Sequence, residues 1–248
     1  MNLLSLSNIH KSFDGIPVLK DINLNVEKGS FVSIFGPNAA GKTTLLNIIS
    51  GLLEPDGGHI EWDDESSKNK VSYVFQNYRE TLFPWMRVWE NISLPLKLQY
   101  ENKTECKNRV EELTTRFKIN IDLNKYPYEL SGGQQQLVAI LRAVITNPVL
   151  LMLDESFSAL DFARRLELQQ KILEIWHDIK ATVIFISHDL DEAIYLADEV
   201  ILLGNKPTTI INKQKIDIER PRSSDHLVNK QFVAYKSDLL ESFLATQE

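Results

Sequence analysis

Only one of the 248 residues is a cysteine, Cys106, which excludes an internal disulfide and a cysteine-rich zinc site. Basic residues are also in deficit: 27 Lys and Arg stand against 34 Asp and Glu, a net charge of −7, so nucleic acid is not expected as a partner. No apolar run approaches the ~20 residues that span a bilayer, and residues 1–11 lack the pattern of a secretory signal. We therefore expect a soluble, intracellular protein that forms no membrane channel by itself.

Glycine and proline are scarce, at 10 and 9 residues, and the sequence shows neither an internal repeat nor a low-complexity segment. Four short runs rich in Val, Ile and Phe are typical of strands buried on both faces of a parallel sheet. These runs are Phe31–Phe35, Val71–Phe75, Val149–Leu153 and Thr182–Ile186. Between them lie helical patterns, such as the one formed by Cys106, Val110, Leu113 and Phe117. This alternation predicts an α/β fold with a mainly parallel sheet.

Three parts of the chain are expected to depart from this pattern. Ile22, Leu24 and Val26 alternate with polar residues, which predicts a half-solvated strand in an N-terminal antiparallel piece. Residues from about 79 to 147 show no convincing central strand and are interpreted as an inserted α-helical subdomain. From about residue 205 a short strand and a helix follow, and we expect the apolar stripe of this helix to pack on the main domain. The stripe is formed by Val228, Phe232, Tyr235, Leu239 and Phe243.

A phosphate-binding motif lies between the run that ends at Phe35 and an apolar helical pattern that begins at Leu45. The residues that match G-x-x-x-x-G-K-[ST] are Gly36, Pro37, Asn38, Ala39, Ala40, Gly41, Lys42 and Thr43. Glycine lets the backbone N–H groups of such a loop face a phosphate, and the next helix adds its positive dipole end. Lys42 is expected to contact the β- and γ-phosphates, and the Thr43 hydroxyl to bind Mg²⁺. A structural glycine-rich turn is the alternative, which the flanking strand and helix disfavour.

Two acids and a histidine are expected at the same sheet edge as this motif, because the carboxyl ends of parallel strands lie together. Asp154 and Glu155 follow the third apolar run. Taken alone, an acid after a buried strand most often only caps the next turn. In combination with Lys42, we expect Asp154 to hold Mg²⁺ and Glu155 to polarise the water that attacks the γ-phosphate. His188 follows the fourth run, which favours a polar contact with the γ-phosphate over a structural role.

A second anion-binding pattern is present at Leu130–Gln134. Ser131 and Gln134 have the spacing of a capping box, which is an ordinary helix start. The box does not explain Gly132 and Gly133, since glycine in the first helical turn costs stability. Two glycines behind a serine cap suit an anion that approaches the bare helix end. Because the phosphate loop of this chain has no evident need for a second cradle, the pattern indicates a nucleotide held by another copy.

Together these motifs resemble the ATP-binding subunit of an ABC transporter over about residues 1–204, with a P-loop NTPase core. The matching elements are Walker A at Gly36–Thr43, the Q-loop residue Gln76, the signature Leu130–Gln134, Walker B at Leu150–Glu155, the D-loop Ser158–Asp161 and the switch residue His188. The resemblance implies one ABC-type domain over residues 1–248, with the helical subdomain at about 79–147 and a C-terminal extension at about 205–248. It also implies that two copies close head to tail, so that Ser131 and Gly133 of one copy clamp the γ-phosphate held by Lys42 of the other.

The resemblance also implies ATP and Mg²⁺ as cofactors and completes the set of site residues. The implied metal ligands are Thr43, Gln76 and Asp154. The implied catalytic residues are Glu155, His188 and Gln76. Beyond Walker A, the implied nucleotide-binding residues are Phe13, Thr44, Ser131, Gly132, Gly133, Gln134 and Asp161. Phe13 occupies the position of the aromatic ring that stacks on adenine in this family.

The implied partners are a second copy of the chain, transmembrane permease subunits and, indirectly, an extracytoplasmic solute-binding protein. These partners would hold the chain at the cytoplasmic face of the cell membrane. Residues 77–91 lie where the family forms its groove for a coupling helix, and Trp85 and Trp89 are either anchors for that helix or local core. This segment and Pro221-Arg222 resemble the importers of nitrate, sulfonate, taurine and related small molecules, so a small anion is the expected substrate.

Two other classes fit the sequence less well. A soluble ABC-type ATPase without a transport role usually has two nucleotide domains in one chain or a long coiled-coil insertion, and neither is found here. A P-loop kinase or GTPase would not need the signature, and no guanine-specific Asn-Lys-x-Asp motif occurs. The departures from the family pattern are Ala39 and Ala40 in place of an often-found glycine, Leu137 in place of arginine, and Ser156 in place of proline.

Overall fold

The computed structural model describes residues 1–68, 70–98, 102–157 and 161–245. The strands are β1 (Asn2–Phe13), β2 (Ile16–Glu27), β3 (Phe31–Phe35), β4 (Gly57–Trp62), β5 (Val71–Val74), β6 (Leu150–Asp154), β7 (Thr182–Ser187), β8 (Glu199–Leu203) and β9 (Ile210–Lys215). The α-helices are α1 (Lys42–Ile49), α2 (Glu65–Lys68), α3 (Tyr78–Thr81), α4 (Val88–Leu98), α5 (Lys103–Arg116), α6 (Gly132–Val144), α7 (Phe162–Ile179), α8 (Leu190–Leu196) and α9 (Lys230–Leu244). The chain divides into two compact units, the first formed by Met1–Val71 with Thr182–Glu248 and the second by Ser72–Ala181.

The first unit contains the predicted antiparallel piece. β1 pairs antiparallel with β2 on one side and with β4 on the other, in the order β2-β1-β4. Leu4 lies opposite Val26 and Leu6 opposite Leu24, so the alternating apolar residues of the two strands share one buried face. This pairing confirms the strand that the period of two predicts.

The first unit also contains parallel strands in the order β7-β3-β8-β9. β3 pairs in parallel with both β7 and β8, and β9 closes this side antiparallel to β8. All residues of β3 and β7 are buried, as the continuous apolar runs predict for central strands. The prediction of an α/β fold with a mainly parallel sheet and an N-terminal antiparallel piece is confirmed.

The C-terminal extension belongs to the first unit, and α9 packs against α8 and β9. Phe232 and Leu239 of α9 are buried, and Phe243 makes an edge-to-face contact with Phe35, the last residue of β3, at 5.4 Å between ring centroids. Val228 is 82% exposed and precedes α9, so its assignment to the packed stripe is wrong. The helix starts later than the periodicity suggests because Asn229 caps it by accepting a hydrogen bond from the Phe232 N–H.

The second unit is mainly helical, and α4 packs against α5 and α6. The apolar side chains of α5 are buried as its spacing predicts, with Phe117 at the helix C-cap. In α6 the helical spacing of Leu137, Leu141, Val144 and Ile145 predicts a narrower apolar stripe than the structure buries. Residues 138–141 are all buried, whereas Leu137 is only half-buried. The helix is covered on more than one side because α3, α4 and α7 all pack against it.

The second unit also contains β6, which β5 borders at the end of its sheet. β6 is completely buried, but β5 is largely half-buried and stops at Val74. Phe75 is 42% exposed, so the expectation of burial on both faces is wrong for the run Val71–Phe75. The cause is the position of β5, since an end strand is covered on fewer sides than a central one. Among the described residues, no helix combines the length and the apolar character needed to cross a bilayer.

Candidate functional site

The phosphate-binding motif forms a loop between β3 and α1 in the first unit. Two of its positions require glycine. A Cβ on Gly36 would lie 2.9 Å from Leu203 Cβ, and Gly41 has φ +81°, with Val18 Cγ1 only 2.8 Å from a would-be Cβ. Gly41 is also the N-cap of α1, whose first turn contains no acidic residue. The loop therefore leads directly into a positive helix end that suits an anion.

Lys42 and Thr43 begin α1 with different exposure. Lys42 is 5% exposed, and its Nζ donates hydrogen bonds of 2.9 Å to the carbonyl oxygens of both Gly36 and Pro37. The ammonium group is thus held by the backbone of its own loop. Thr43 is exposed in the first turn of α1, and Thr44 is half-buried behind it.

Ala39 lies in the loop with a φ of +60°, in the left-handed region. This region costs a residue with a Cβ about 1–2 kcal/mol, which explains why glycine is often found in this part of the loop. The exposed Asn38 and the buried Ala40 flank it. Ala39 therefore adopts a strained backbone conformation in this loop.

Phe13 ends β1 and is 45% exposed. Lys11 Nζ lies 5.6 Å from the centroid of its ring. Lys11 is held there by hydrogen bonds of 2.7 Å to Asp56 Oδ1 and 2.9 Å to the Glu54 carbonyl. The hydrogen bond from Lys11 and another from the Ser12 N–H lower the pKa of Asp56. These contacts hold the end of β1 where Phe13 presents an exposed aromatic surface.

His188 is exposed in the turn between β7 and α8. Before it, the buried hydroxyl of Ser187 donates to Glu192 Oε2 at 2.7 Å and accepts from the Asp189 N–H at 3.0 Å. After it, Lys236 of α9 forms an ion pair of 2.7 Å with Asp191 in the first turn of α8. The turn that carries His188 is therefore held from both sides, in part by the C-terminal extension.

Arg222 has a structural role that no local sequence pattern predicts. It is 4% exposed and donates hydrogen bonds to five backbone carbonyls, three of them at the C-terminal end of α8. Burial lowers the pKa of its guanidinium to about 10, which leaves it cationic at neutral pH. A cation at a helix C-terminus is favoured by the helix dipole. Arg222 thus joins the extension to the helix that follows His188.

In the second unit, Gln76 and Glu155 are in direct contact. Gln76 Nε2 donates a hydrogen bond of 2.9 Å to Glu155 Oε2. Glu155 has a φ of +43°, a left-handed conformation that is costly for a residue with a side chain.

Asp154 is 2% exposed, and its Oδ2 accepts a hydrogen bond of 3.3 Å from the Tyr73 hydroxyl. Burial, reinforced by the charge of Asp154, raises the pKa of Tyr73 strongly, so the phenol stays protonated as a donor.

The signature pattern forms the start of α6 in the second unit. Ser131 is the N-cap, and the predicted capping box is present: its Oγ accepts from the Gln134 N–H at 3.4 Å, and its own N–H donates to Gln134 Oε1 at 3.0 Å. The spacing of the signature residues does not predict the neighbours of Gly132. A Cβ on Gly132 would lie 2.9 Å from Arg79 Nη2 and 3.5 Å from the Tyr78 hydroxyl, both from α3.

The remaining candidates are settled in part. Asp161 caps α7 by accepting a hydrogen bond of 3.1 Å from the Arg164 N–H, whereas Ser158–Leu160 of the D-loop lie outside the described residues. Trp89 is 5% exposed and belongs to the core of the helical unit, but Trp85 is 70% exposed. Trp89 is therefore local core, whereas Trp85 is at the surface and its role as an anchor stays a prediction.

Comparison with known proteins gives the family of this chain. Residues 19–158 match the sequence profile of a family described as ABC transporter. The chain belongs to the ABC transporter family. As a member of this ATP-binding cassette family it binds ATP and hydrolyses it.

Three relatives of this cassette show how far the similarity extends. The aliphatic sulfonates import ATP-binding protein SsuB of Bacillus cereus is 37% identical over 247 residues, which cover 97% of this chain and 95% of the relative. The spermidine/putrescine import ATP-binding protein PotA of Marinobacter nauticus is 37% identical over 225 residues, 88% of this chain and 60% of that protein. A dimeric structure of the ATP-binding cassette MJ0796 in a post-hydrolysis state, bound to ADP and Pi, superposes with a TM-score of 0.74 and 30% identity, over 87% of this chain and all of that one.

Proposed function

We propose that two copies of this cassette close head to tail around ATP and drive the uptake of a small anion through a membrane permease. The observation that carries the two-copy arrangement is the start of α6. The capping box occupies the N–H groups of Ser131 and Gln134. The two first-turn N–H groups between them, on Gly132 and Gly133, have no acceptor within the helix, as in any α-helix. They suit the γ-phosphate of a nucleotide held by the other copy.

Within each copy, the Walker A loop is proposed to hold the phosphates through its backbone and Lys42. Lys42 donates hydrogen bonds to two carbonyl oxygens of the loop. When phosphate binds, Lys42 would donate to a charged phosphate oxygen in place of these neutral acceptors, and that hydrogen bond would be stronger. Phe13 is proposed to stack on adenine with its exposed face. Thr44 and Asp161 complete the proposed nucleotide-binding residues.

Glu155 is the proposed general base, and Gln76 and His188 are proposed to position the attacking water and the γ-phosphate. The hydrogen bond from Gln76 to Glu155 supports this division, since it holds the carboxylate and the amide in one cluster. A base acts best when a neighbouring group orients it. The left-handed backbone of Glu155 is consistent with strain stored at a catalytic residue.

Mg²⁺ is the proposed metal, with Thr43, Gln76 and Asp154 as its ligands. The donor set consists of a hydroxyl, an amide oxygen and a carboxylate, which are the oxygen ligands that Mg²⁺ prefers. When bound, Mg²⁺ would neutralise the charge that develops on the phosphates. Tyr73 would keep the Asp154 carboxylate oriented through its hydrogen bond.

Permease subunits are the proposed docking partner of the segment at residues 77–91, which would hold the cassette at the cytoplasmic face of the membrane. The exposed Trp85 is suited to anchor a partner helix, whereas Trp89 is buried in the core of the helical unit. Asn91 gives the segment a fixed shape: it is fully buried, accepts from the Phe83 N–H and donates to the carbonyls of Phe83, Met86 and Arg87.

Among importers, uptake of a small anion such as nitrate, a sulfonate or taurine is favoured. The sulfonate-importing relative matches nearly the full length of this chain, whereas the spermidine/putrescine relative matches with 60% of its own length. Such an importer would also use an extracytoplasmic solute-binding protein. A soluble ABC-type ATPase without a transport role is not favoured, because the relatives that match over the full chain include import subunits.

The proposal is tested by purifying the tagged cassette from its native membrane and reconstituting the co-purified complex in vesicles with internal MgATP. We expect permease subunits to co-purify and external labelled taurine or another sulfonate to accumulate, with no accumulation when Glu155→Gln replaces the native chain. Accumulation of labelled spermidine instead would contradict the anion assignment. A cassette that purifies without any membrane subunit would contradict the importer proposal.

A further inference from the structure

Tyr78 and Arg79 lie against the start of the signature helix, although they belong to the segment that follows Gln76. Arg79 Nη2 is 2.9 Å, and the Tyr78 hydroxyl 3.5 Å, from the point where a Cβ on Gly132 would stand. Both groups approach so closely only because residue 132 has no side chain. Gly132 therefore has two effects: it leaves the start of α6 open, and it allows α3 to approach α6 closely.

The Arg79 guanidinium is placed where its charge is unfavourable in the protein alone. A helix N-terminus has a partial positive charge, so a cation beside it is repelled and an anion is attracted. Arg79 is exposed, forms no ion pair with any residue that the structure describes, and lies over the ring of the adjacent Tyr78 at 5.9 Å. An arginine in this position becomes favourable when an anion binds between it and the helix end.

The Tyr78 hydroxyl is a second, independent indication of a ligand. Tyr78 is 5% exposed, and within the described part of the chain its hydroxyl has no hydrogen-bond partner. A buried polar group that lacks a partner destabilises the protein, so such groups are rare without a functional reason. Here the hydroxyl lies 3.5 Å from the same Cβ position of Gly132 that Arg79 approaches.

We infer that Tyr78 and Arg79 are further ligands of the γ-phosphate that the signature of one copy binds on the other copy. A phosphate has several strong acceptor oxygens, enough for the backbone of Gly132 and Gly133, the Tyr78 hydroxyl and the Arg79 guanidinium together. The inference rests on the proposed two-copy arrangement and adds two side chains to it.

The consequence is a link between the two ATP sites of the dimer. Gln76 contacts Glu155, which belongs to the site of its own copy, and Tyr78 and Arg79 follow two and three residues later. A segment of four residues would thus sense the phosphate of its own copy at one end and that of the partner copy at the other. Occupancy of one site would then favour closure of the other.

The test uses the full-length chain with Glu155→Gln, in which MgATP is not consumed, and measures the MgATP concentration at half-maximal dimer formation by light scattering. We expect Arg79→Gln to raise this concentration by about tenfold or more, because a charge-assisted contact to phosphate is lost. The matched control is Arg116→Gln. Arg116 is an exposed arginine of the same unit, lies over the neighbouring Phe117 ring at 5.5 Å and pairs with Asp178. We expect the Arg116→Gln substitution to leave the MgATP concentration at half-maximal dimer formation unchanged.

Tyr78→Phe separates a ligand role from a structural one. Removal of an unpartnered buried hydroxyl is expected to raise the thermal midpoint of the nucleotide-free protein, or leave it unchanged, while the dimer midpoint rises about threefold or more. A hydroxyl with only a structural role would not produce this combination. ATP binding to the isolated copy, measured with a fluorescent analogue, should be unaffected by either change because the phosphate contacted belongs to the partner copy.

The outcomes that overturn the inference are distinct from those that overturn the proposed function. If the Glu155→Gln protein forms no dimer with MgATP, the two-copy proposal itself fails. If it dimerises but Arg79→Gln behaves like Arg116→Gln, or Tyr78→Phe leaves the dimer midpoint unchanged, the assignment of these side chains fails alone. Loss of ATP binding to the isolated copy on Arg79→Gln would place Arg79 at its own copy's nucleotide and would also overturn the inference.

Discussion

Gln76 Nε2 and Glu155 Oε2 are 2.9 Å apart, although 79 residues separate them in the chain. The hydrogen bond joins the segment after β5 to the acid that follows β6, and its donor is a neutral amide. This contact fixes the orientation of the carboxylate. This is the arrangement expected of a base that must accept a proton from water.

Glu155→Gln is expected to reduce ATP hydrolysis by at least about 10²-fold, because a positioned general base contributes about 10²–10⁴-fold to such reactions. Glutamine keeps the size of the side chain but accepts no proton. The variant should still bind MgATP and accumulate as a dimer, measured by steady-state phosphate release and light scattering. Turnover within about twofold of the native rate would remove Glu155 from the catalytic role.

Ser131→Arg and Lys42→Ala are expected to fail at different steps. Lys42→Ala removes the cation of the phosphate loop, so both ATP binding and hydrolysis should be lost. Ser131→Arg obstructs the start of α6, and we expect ATP binding to one copy to stay within about twofold while turnover falls below detection. The loss of its N-cap hydrogen bond should cost about 1 kcal/mol of helix stability, which circular dichroism would register.

Binding of a fluorescent ATP analogue and phosphate release, measured on the same preparations, check this pair. Equal loss of ATP affinity in the two variants would show that the signature acts within its own chain. The head-to-tail arrangement would then be wrong.

Ala39→Gly is expected to raise the thermal midpoint of the nucleotide-free protein by about 1–3 °C. The left-handed conformation costs alanine about 1–2 kcal/mol and glycine almost nothing, and the extra flexibility of unfolded glycine offsets part of this gain. Ala40→Gly, at a buried neighbour whose φ is not positive, is the matched control and should lower the midpoint. Calorimetry of both variants decides, and a midpoint that falls for Ala39→Gly would contradict the strain.

Asp56→Asn is expected to change the pH dependence of stability. Lys11 and the Ser12 N–H hold the pKa of Asp56 below its ordinary value of 3.8, so the ionised carboxylate stabilises the folded state. This contribution is complete above the ordinary pKa and is lost as the pH falls through the lowered one. The variant should therefore be less stable than the native chain at neutral pH, and the difference should shrink below about pH 4.

Urea unfolding at several pH values measures this difference, and Lys11→Met is the companion variant. Each single substitution should lower the free energy of unfolding at neutral pH, and this difference should disappear in acid. The double variant should be little less stable than either single variant. A difference between Asp56→Asn and the native chain that is independent of pH would contradict the ion pair as its cause.

Local patterns predicted most elements of the fold. The apolar run Phe31–Phe35 became β3 with the same bounds, and the Ser131–Gln134 spacing became a capping box with both hydrogen bonds. These features depend on neighbouring residues along the chain, whose geometry a short sequence determines. The errors arose where burial depends on distant parts of the chain. β5 is half-exposed because it lies at the end of its sheet, Leu137 is half-buried because three other helices cover α6 from other sides, and Val228 lies outside the capped helix.

The sequence by itself determined the chemistry of this protein: a phosphate loop with Lys42, paired acids at 154 and 155, and a glycine-rich helix start, since each motif is a set of residue types at fixed spacing. Only the tertiary structure decided which side chains meet. Gln76 reaches Glu155, Arg79 reaches Gly132, and Trp89 is buried while Trp85 is exposed. Such contacts result from how distant segments pack around a shared core, and no local period in the chain encodes that packing.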